Sequence, residues 1–295
     1  MKYGKPALTY QQQADQLLAR GLIANRDELV TRLQSVSYYR LSGYWYPFRL
    51  PDESFKPGTT FEQVWRRYTF DRRLRLLALD AIERVEVRIR TELVYILAHA
   101  QGPFGYSGAA NLPNLSADEH AKLLDQIAQE CGRSREAFIL HFRTTYGGDH
   151  PYPPYWMVTE LMTFGMLLTL FRGAPTATKQ EVGSHFGVAD VVMESWLRAL
   201  NAIRNTCAHH GRLWNRQLGY RPMIPRKDKR WHRPVEVSGD RMFGIWTILR
   251  YLLSQIAPQS RWPVRLQELY EEYPDVPLPS MGYPAGWERC PIWTR

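Results

Sequence analysis

From Phe61 to Ala100 the chain carries neither glycine nor proline. No other feature restricts its fold as strongly, because the two residues that most readily interrupt an α-helix are missing from the whole run. Its charges also fall at helical spacing. Asp80 with Arg84 and Glu86 with Arg90 are opposite-sign pairs at i,i+4, with the acid placed N-terminal to the base. Leu76, Leu79, Ile82 and Val85 supply a core-facing stripe. The charges of this run read as a solvated, self-paired face, so Glu83 and Glu86 receive no chemical role at this point.

Helical periodicity continues on both sides, and the period-two alternation of strands is hard to find. Short helices are expected over Thr9–Arg20 and Arg26–Val36, with Gly21 as a stop between them. The aromatic stretch Tyr38 to Pro47 reads as a packed turn punctuated by Gly43 and Pro47. Further helices are expected over Ser116–Cys131, Ser134–Thr144, Tyr155–Phe171, Ala177–Phe186, Ala189–His209, Met242–Ile256 and Val264–Glu272. The segment from Pro274 onward is rich in proline and is expected to lie extended on the surface. With no repeat or strong linker, the expectation is one all-α domain, a helical bundle. Residues 1–60 would form an N-terminal helical arm, 61–216 the core, and 217–295 a basic loop with the C-terminal helices.

Charge narrows the partners. The formal net charge is +9, which favours an anionic partner such as nucleic acid. Cys131, Cys207 and Cys290 lie far apart without a CxxC pair, which suits a reducing compartment. The N-terminus offers no apolar stretch for a signal peptide. The most apolar segment, Tyr155 to Phe171, is shorter than a membrane span and contains Glu160. A cytoplasmic protein without a membrane partner is expected.

The segment from Trp196 to Gly211 concentrates the chemistry. Trp196, Leu200, Ile203 and Cys207 recur at i, i+4, i+7 and i+11 as a core stripe. At about 100° per residue, with Ile203 as the core direction, His209 points roughly 120° to one side and Arg204 about 100° to the other. Asn205 points almost away from the core, one turn below His209. Gly211 is expected to end the helix with both His209 and His210 in its last turn. A helix C-terminus favours imidazolium, which makes His209 available as a general acid. Arg204 can fork onto phosphate oxygens and stabilise charge developing in phosphoryl transfer. Asn205 could orient the His209 ring. These groups suit metal-independent RNA cleavage by attack of the ribose 2′-OH. Two copies of the motif meeting across a two-fold axis would supply both acid and base, so a homodimer is expected. Cys207 and His210 share a face at i,i+3, but no matching Cys/His pair exists elsewhere, so neither zinc nor another cofactor is expected.

The block Arg204-Asn205-Thr206-Cys207-Ala208-His209-His210-Gly211-Arg212-Leu213-Trp214-Asn215-Arg216 resembles the signature of the Abi-like family of abortive-infection proteins, within the HEPN superfamily. The pattern is an arginine, a polar residue, and a histidine after four to six intervening positions. Tyr39 to Trp45, Phe70 to Arg75 and Ile82 to Arg90 extend the likeness, so it covers roughly Tyr38 to Arg216. The resemblance implies a HEPN-like all-α fold, dimerisation and RNA cleavage in defence against phage, with Arg204 and His209 catalytic and Asn205 in support. His210, Arg212, Asn215 and Arg216 would flank the site and hold RNA. A small regulatory RNA is a further partner known in such families.

The basic stretch from Arg226 to Arg233 is a second candidate RNA contact: Arg226, Lys227, Lys229 and Arg230 would track phosphates while Trp231 offers a stacking face. Two other readings stand beside the ribonuclease, a HEPN-like protein that binds RNA without cutting it and a regulatory partner in a defence system.

Overall fold

A computed structural model describes residue 4 and residues 6–294. Among them stand twelve α-helices and no strand, so the protein is all-α. In chain order these are α1 (Tyr10–Ala19), α2 (Arg26–Ser35), α3 (Tyr38–Trp45), α4 (Phe61–Gln101), α5 (Ala117–Arg133), α6 (Ala137–Tyr146), α7 (Tyr155–Leu161), α8 (Phe164–Gly173), α9 (Thr176–His185), α10 (Asp190–Ala208), α11 (Met242–Ile256) and α12 (Trp262–Glu272). The chain divides into two compact units, one of residues 1–76 with 265–277 and one of residues 77–264 with 278–295. Helix α4 contributes to both, as the glycine- and proline-free run allows.

In the first unit, side chains fix the helix starts. Thr9 and Gln12 form a reciprocal capping box on α1, Asn25 caps α2, and Ser37 accepts from the Arg40 N–H at 3.3 Å to start α3. The aromatic stretch therefore opens as a helix rather than the packed turn its glycine and proline suggest. Leu41, Tyr44 and Trp45, at i, i+3 and i+4, bury together and outweigh Gly43. Pro47 enters only in the 3₁₀ turn that follows. Under this helix the Tyr44 hydroxyl donates to buried Asp71 at 2.7 Å, and Arg75 pairs with the same carboxylate oxygen at 2.6 Å. Burial and the neighbouring Asp71 charge together push the Tyr44 phenol well above its ordinary value.

In the second unit α11 is buried on almost all sides from Met242 to Leu253, as its apolar sequence requires. Trp196 of α10, Trp231 and Tyr251 of α11 meet with centroids 5.4 to 5.7 Å apart. The single buried helix expected over Tyr155–Phe171 is two. Met162 takes an extended backbone, and Thr163 caps α8 by accepting from the Met166 N–H at 3.3 Å. The break is satisfied from α4, where Arg90 donates to the Met162 carbonyl at 3.0 Å.

Two further expectations change. Leu76 is 54% exposed, so the core stripe of α4 runs through Ala78, Ile82 and Val85 instead. The C-terminal segment is not an extended surface tail. Met281, Tyr283, Cys290 and Ile292 are buried, and Phe243 of α11 gathers the rings of Tyr283, Trp287 and Trp293 at 4.7 to 6.4 Å. Five large apolar groups within so short a stretch, Met281, Tyr283, Trp287, Ile292 and Trp293, gain more by packing than its prolines gain by extension. No helix among the described residues is long and apolar enough to cross a membrane.

Candidate functional site

Helix α10 presents the site. Asp190 in its first turn and the Glu194–Arg198 pair at 2.7 Å suit its dipole and its exposed face. Trp196, Leu200, Ile203 and Cys207 are all buried, as the helical wheel predicts, and this fixes the rotation of the helix. Asn205 and His209 are exposed and Arg204 is half-buried.

The helix ends differently from expectation. It stops at Ala208 with His209 as its cap, and His210, not Gly211, takes the left-handed conformation at φ 57°. The His210 N–H donates to the Cys207 carbonyl at 2.9 Å and the Gly211 N–H to the Thr206 carbonyl at 2.7 Å. This is a Schellman closure with a histidine where glycine is usual. A left-handed side-chain-bearing residue costs about 1 kcal/mol or more, so the turn stores strain next to His209. Gly211 is needed for close approach: a Cβ there would lie 2.9 Å from Thr206 Cγ2.

Arg204 faces a cleft of about 340 Å³ whose other walls are Leu79, Asp80, Glu83 and Glu86 of α4. Asp80 is taken by Arg84 at 2.9 Å and Glu86 by Arg90 at 2.8 Å. The two i,i+4 pairs anticipated from the sequence thus form, but the face that bears them borders Arg204. Burial raises the Glu86 carboxyl above its ordinary value, opposed by the charges of Arg90 and then Arg204. Even so, no described carboxylate lies within 4.0 Å of the Arg204 guanidinium, whose side-chain partner is the Asn205 amide oxygen at 3.5 Å. The Asn205 side chain therefore turns to Arg204 and not to the His209 ring. His209 is joined to Asn205 through the backbone, by its N–H to the Asn205 carbonyl at 3.0 Å. The sequence did hold a signal for this acidic wall: Asp80, Glu83 and Glu86 recur every three residues and so keep to one side of α4 over two turns.

Beyond the turn, buried Leu213 and Trp214 anchor the segment. Asn215 also takes a left-handed conformation, φ 52°, and its amide oxygen accepts from Arg241 at 3.3 Å, which makes it a fixed corner. Arg212 is half-buried. Arg216 is exposed and lines a second depression of about 270 Å³ with Ala202, Thr206 and Tyr220.

The Abi-like protein family model matches residues 31–215, from within α2 to the corner at Asn215. The chain belongs to the Abi-like family. No curated protein and no solved structure gave a significant match. The Abi-like match takes in α10, its terminating turn and the acidic wall of α4, and it ends before the basic stretch.

That stretch departs from its expected role. Trp231 is fully buried between Trp196 and Tyr251, so it offers no face to a base. An indole buries too much apolar area to remain outside when a pocket of rings is at hand. Arg230 is held by Asp228, with separations of 2.7 to 3.0 Å, and lies over the Tyr251 ring at 5.3 Å. Arg226, Lys227 and Lys229 remain exposed. Among the described residues, no three His, Cys, Asp or Glu side chains converge as metal ligands would.

Proposed function

We propose that this Abi-like protein is a metal-independent endoribonuclease of the HEPN type, acting in abortive-infection defence. The observation that carries the reading is the end of α10. There an arginine with no carboxylate partner among the described residues, a polar residue and an exposed histidine leave the core face together. The acidic wall of α4 makes one side of Arg204 unfavourable for a phosphate. The substrate phosphate therefore meets the guanidinium from the side of the helix end.

In the proposed reaction the ribose 2′-oxygen attacks the adjacent phosphorus, and a base takes its proton. Arg204 stabilises the charge on the phosphoryl oxygens, and an acid protonates the departing 5′-oxygen. The products are a 2′,3′-cyclic phosphate and a 5′-hydroxyl. His209 serves as one proton-transfer group, and the same histidine of a second copy across a two-fold axis serves as the other. Asn205 holds the Arg204 guanidinium in place. His210, Arg212 and Arg216 line the approach of the RNA.

The test is cleavage of total cellular RNA by the purified protein in EDTA, beside the His209→Ala variant. Wild-type cleavage that leaves cyclic phosphate ends, absent from the variant, is expected. Equal cleavage by both proteins would remove His209 from the mechanism. Tight RNA binding without cleavage by either would replace the enzyme with an RNA-binding protein.

A further inference from the structure

A cleft in the first unit is remote in sequence from α10. It measures about 990 Å³ and is lined by Tyr10, Arg20, Tyr38, Tyr39, Arg49 and Glu53, with glutamine and serine side chains between them. Its aromatic groups are unusually open for their size: Tyr39 is 89% exposed and Tyr10 is 44% exposed. Neighbouring Tyr44 and Trp45 of the same helix are buried, so α3 uses one set of rings for packing and turns another toward the cleft.

The charges are arranged as unequally as the rings. Arg20 reaches Glu53 at 2.6 Å and Arg49 reaches the other oxygen of the same carboxylate at 3.0 Å. Arg20 also donates to the Tyr38 hydroxyl at 3.2 Å, which fixes its guanidinium at the cleft wall. Two guanidiniums share one carboxylate, which leaves a surplus positive charge among tyrosine faces. Glu53 itself sits at a left-handed φ of 72°, a conformation that side-chain-bearing residues rarely adopt. A strained turn thus holds an acidic group between two arginines, in the position a phosphate would take.

We infer that this cleft binds a nucleoside phosphate, the base resting on the exposed tyrosines and the phosphate replacing Glu53 on Arg20 and Arg49. Aromatic faces beside arginine forks match the chemistry by which unpaired bases and their phosphates are held. The ligand is either one nucleotide of a single-stranded RNA or a free nucleotide. None of these tyrosines and arginines belongs to the α10 motif.

The test is fluorescence titration of the full chain carrying His209→Ala, so that no strand is consumed. The probes are a labelled oligoribonucleotide of about ten residues and, as competitor, adenosine monophosphate. Tyr39→Ala and Arg49→Gln should each weaken binding about fivefold or more, the effect expected for one stacked base. Glu53→Gln should tighten it, because it removes the competing carboxylate. Competition by the monophosphate at concentrations that fill the cleft identifies a free-nucleotide site, and its failure to compete identifies a strand site. Unchanged affinity in Tyr39→Ala and Arg49→Gln, with thermal unfolding like the parent's, would overturn the inference. So would weaker binding in Glu53→Gln.

Discussion

The segment from Arg204 to Arg216, which closes α10 and runs past its cap, and the basic stretch from Arg226 to Arg233 are alike in composition, each with three arginines and one tryptophan beside histidine. They differ in where the fold has used those groups. In the basic stretch Trp231 is consumed by the ring cluster around Tyr251, Arg230 by Asp228, and His232 bonds the Pro225 carbonyl at 3.0 Å. At the end of α10 the tryptophan is buried too, but Arg204 has no described carboxylate within 4.0 Å and His209 stands exposed. Groups held by internal partners build structure, whereas groups left open beside a helix end remain available to a ligand.

The contrast can be broken most directly at the motif. His209→Ala should lower RNA cleavage by about 10²- to 10⁴-fold, the usual contribution of a proton-transfer group. Because the side chain is exposed, thermal unfolding should barely move. Arg204→Lys keeps the charge but loses the fork, and it should also depress cleavage while the fold is retained. Activity retained in both variants would end the distinction between the two stretches.

Next in size is the buried ring. Trp231→Ala should destabilise the protein by about 3–5 kcal/mol in denaturant titrations, as large-to-small core changes do. Cleavage per folded molecule should be unchanged. A specific loss of RNA affinity in the folded variant would restore the stacking role that burial removes. His210→Gly should raise stability by about 1 kcal/mol through relief of the left-handed strain. Unchanged cleavage in this variant would take both the strain and the His210 side chain out of the site.

Smaller effects are expected from the exposed cations. Replacing Arg226 and Lys227 by serine should reduce the slope of log affinity against log salt by about 0.7 for each phosphate that these cations neutralise. An unchanged slope would show that this stretch does not touch RNA. The smallest effect concerns acid stability. Hydrogen bonds from the Ser116 backbone and from Arg172 and Ser116 side chains lower the Glu119 carboxyl from 4.5 to about 2. Its folded value lies below its unfolded one, so its contribution is complete above pH 4.5 and fades as pH falls toward about 2. Glu119→Gln should flatten that part of the curve of melting temperature against pH.

Much of this arrangement can be read from residue order. The helical class, the long α4, the buried stripe of α10 and the Asp80–Arg84 and Glu86–Arg90 pairs all follow from local spacing, and each appears in the structure. What resists reading depends on partners distant in the chain. Nothing near Trp231 announces Trp196 or Tyr251, and nothing near Met162 announces that Arg90 will reach its carbonyl. Helix α3 forms because Leu41, Tyr44 and Trp45 find a core, which outweighs a glycine that locally disfavours it. The motif follows the same division. Its outward direction is legible, while the acidic cleft beside Arg204 requires knowing which face of α4 lies opposite.

The closing turn of α10 also carries a constraint on descent. Residues 206 and 211 occupy one small space: a Cβ at 211 meets Thr206 Cγ2 at 2.9 Å and the Thr206 carbonyl oxygen at 3.1 Å. The first clash disappears if threonine gives way to serine, and the second yields to a shift of a few tenths of an ångström. Related chains that have lost glycine at 211 should therefore have lost the branched residue at 206. The two positions would change together, and the two histidines between them would keep their places.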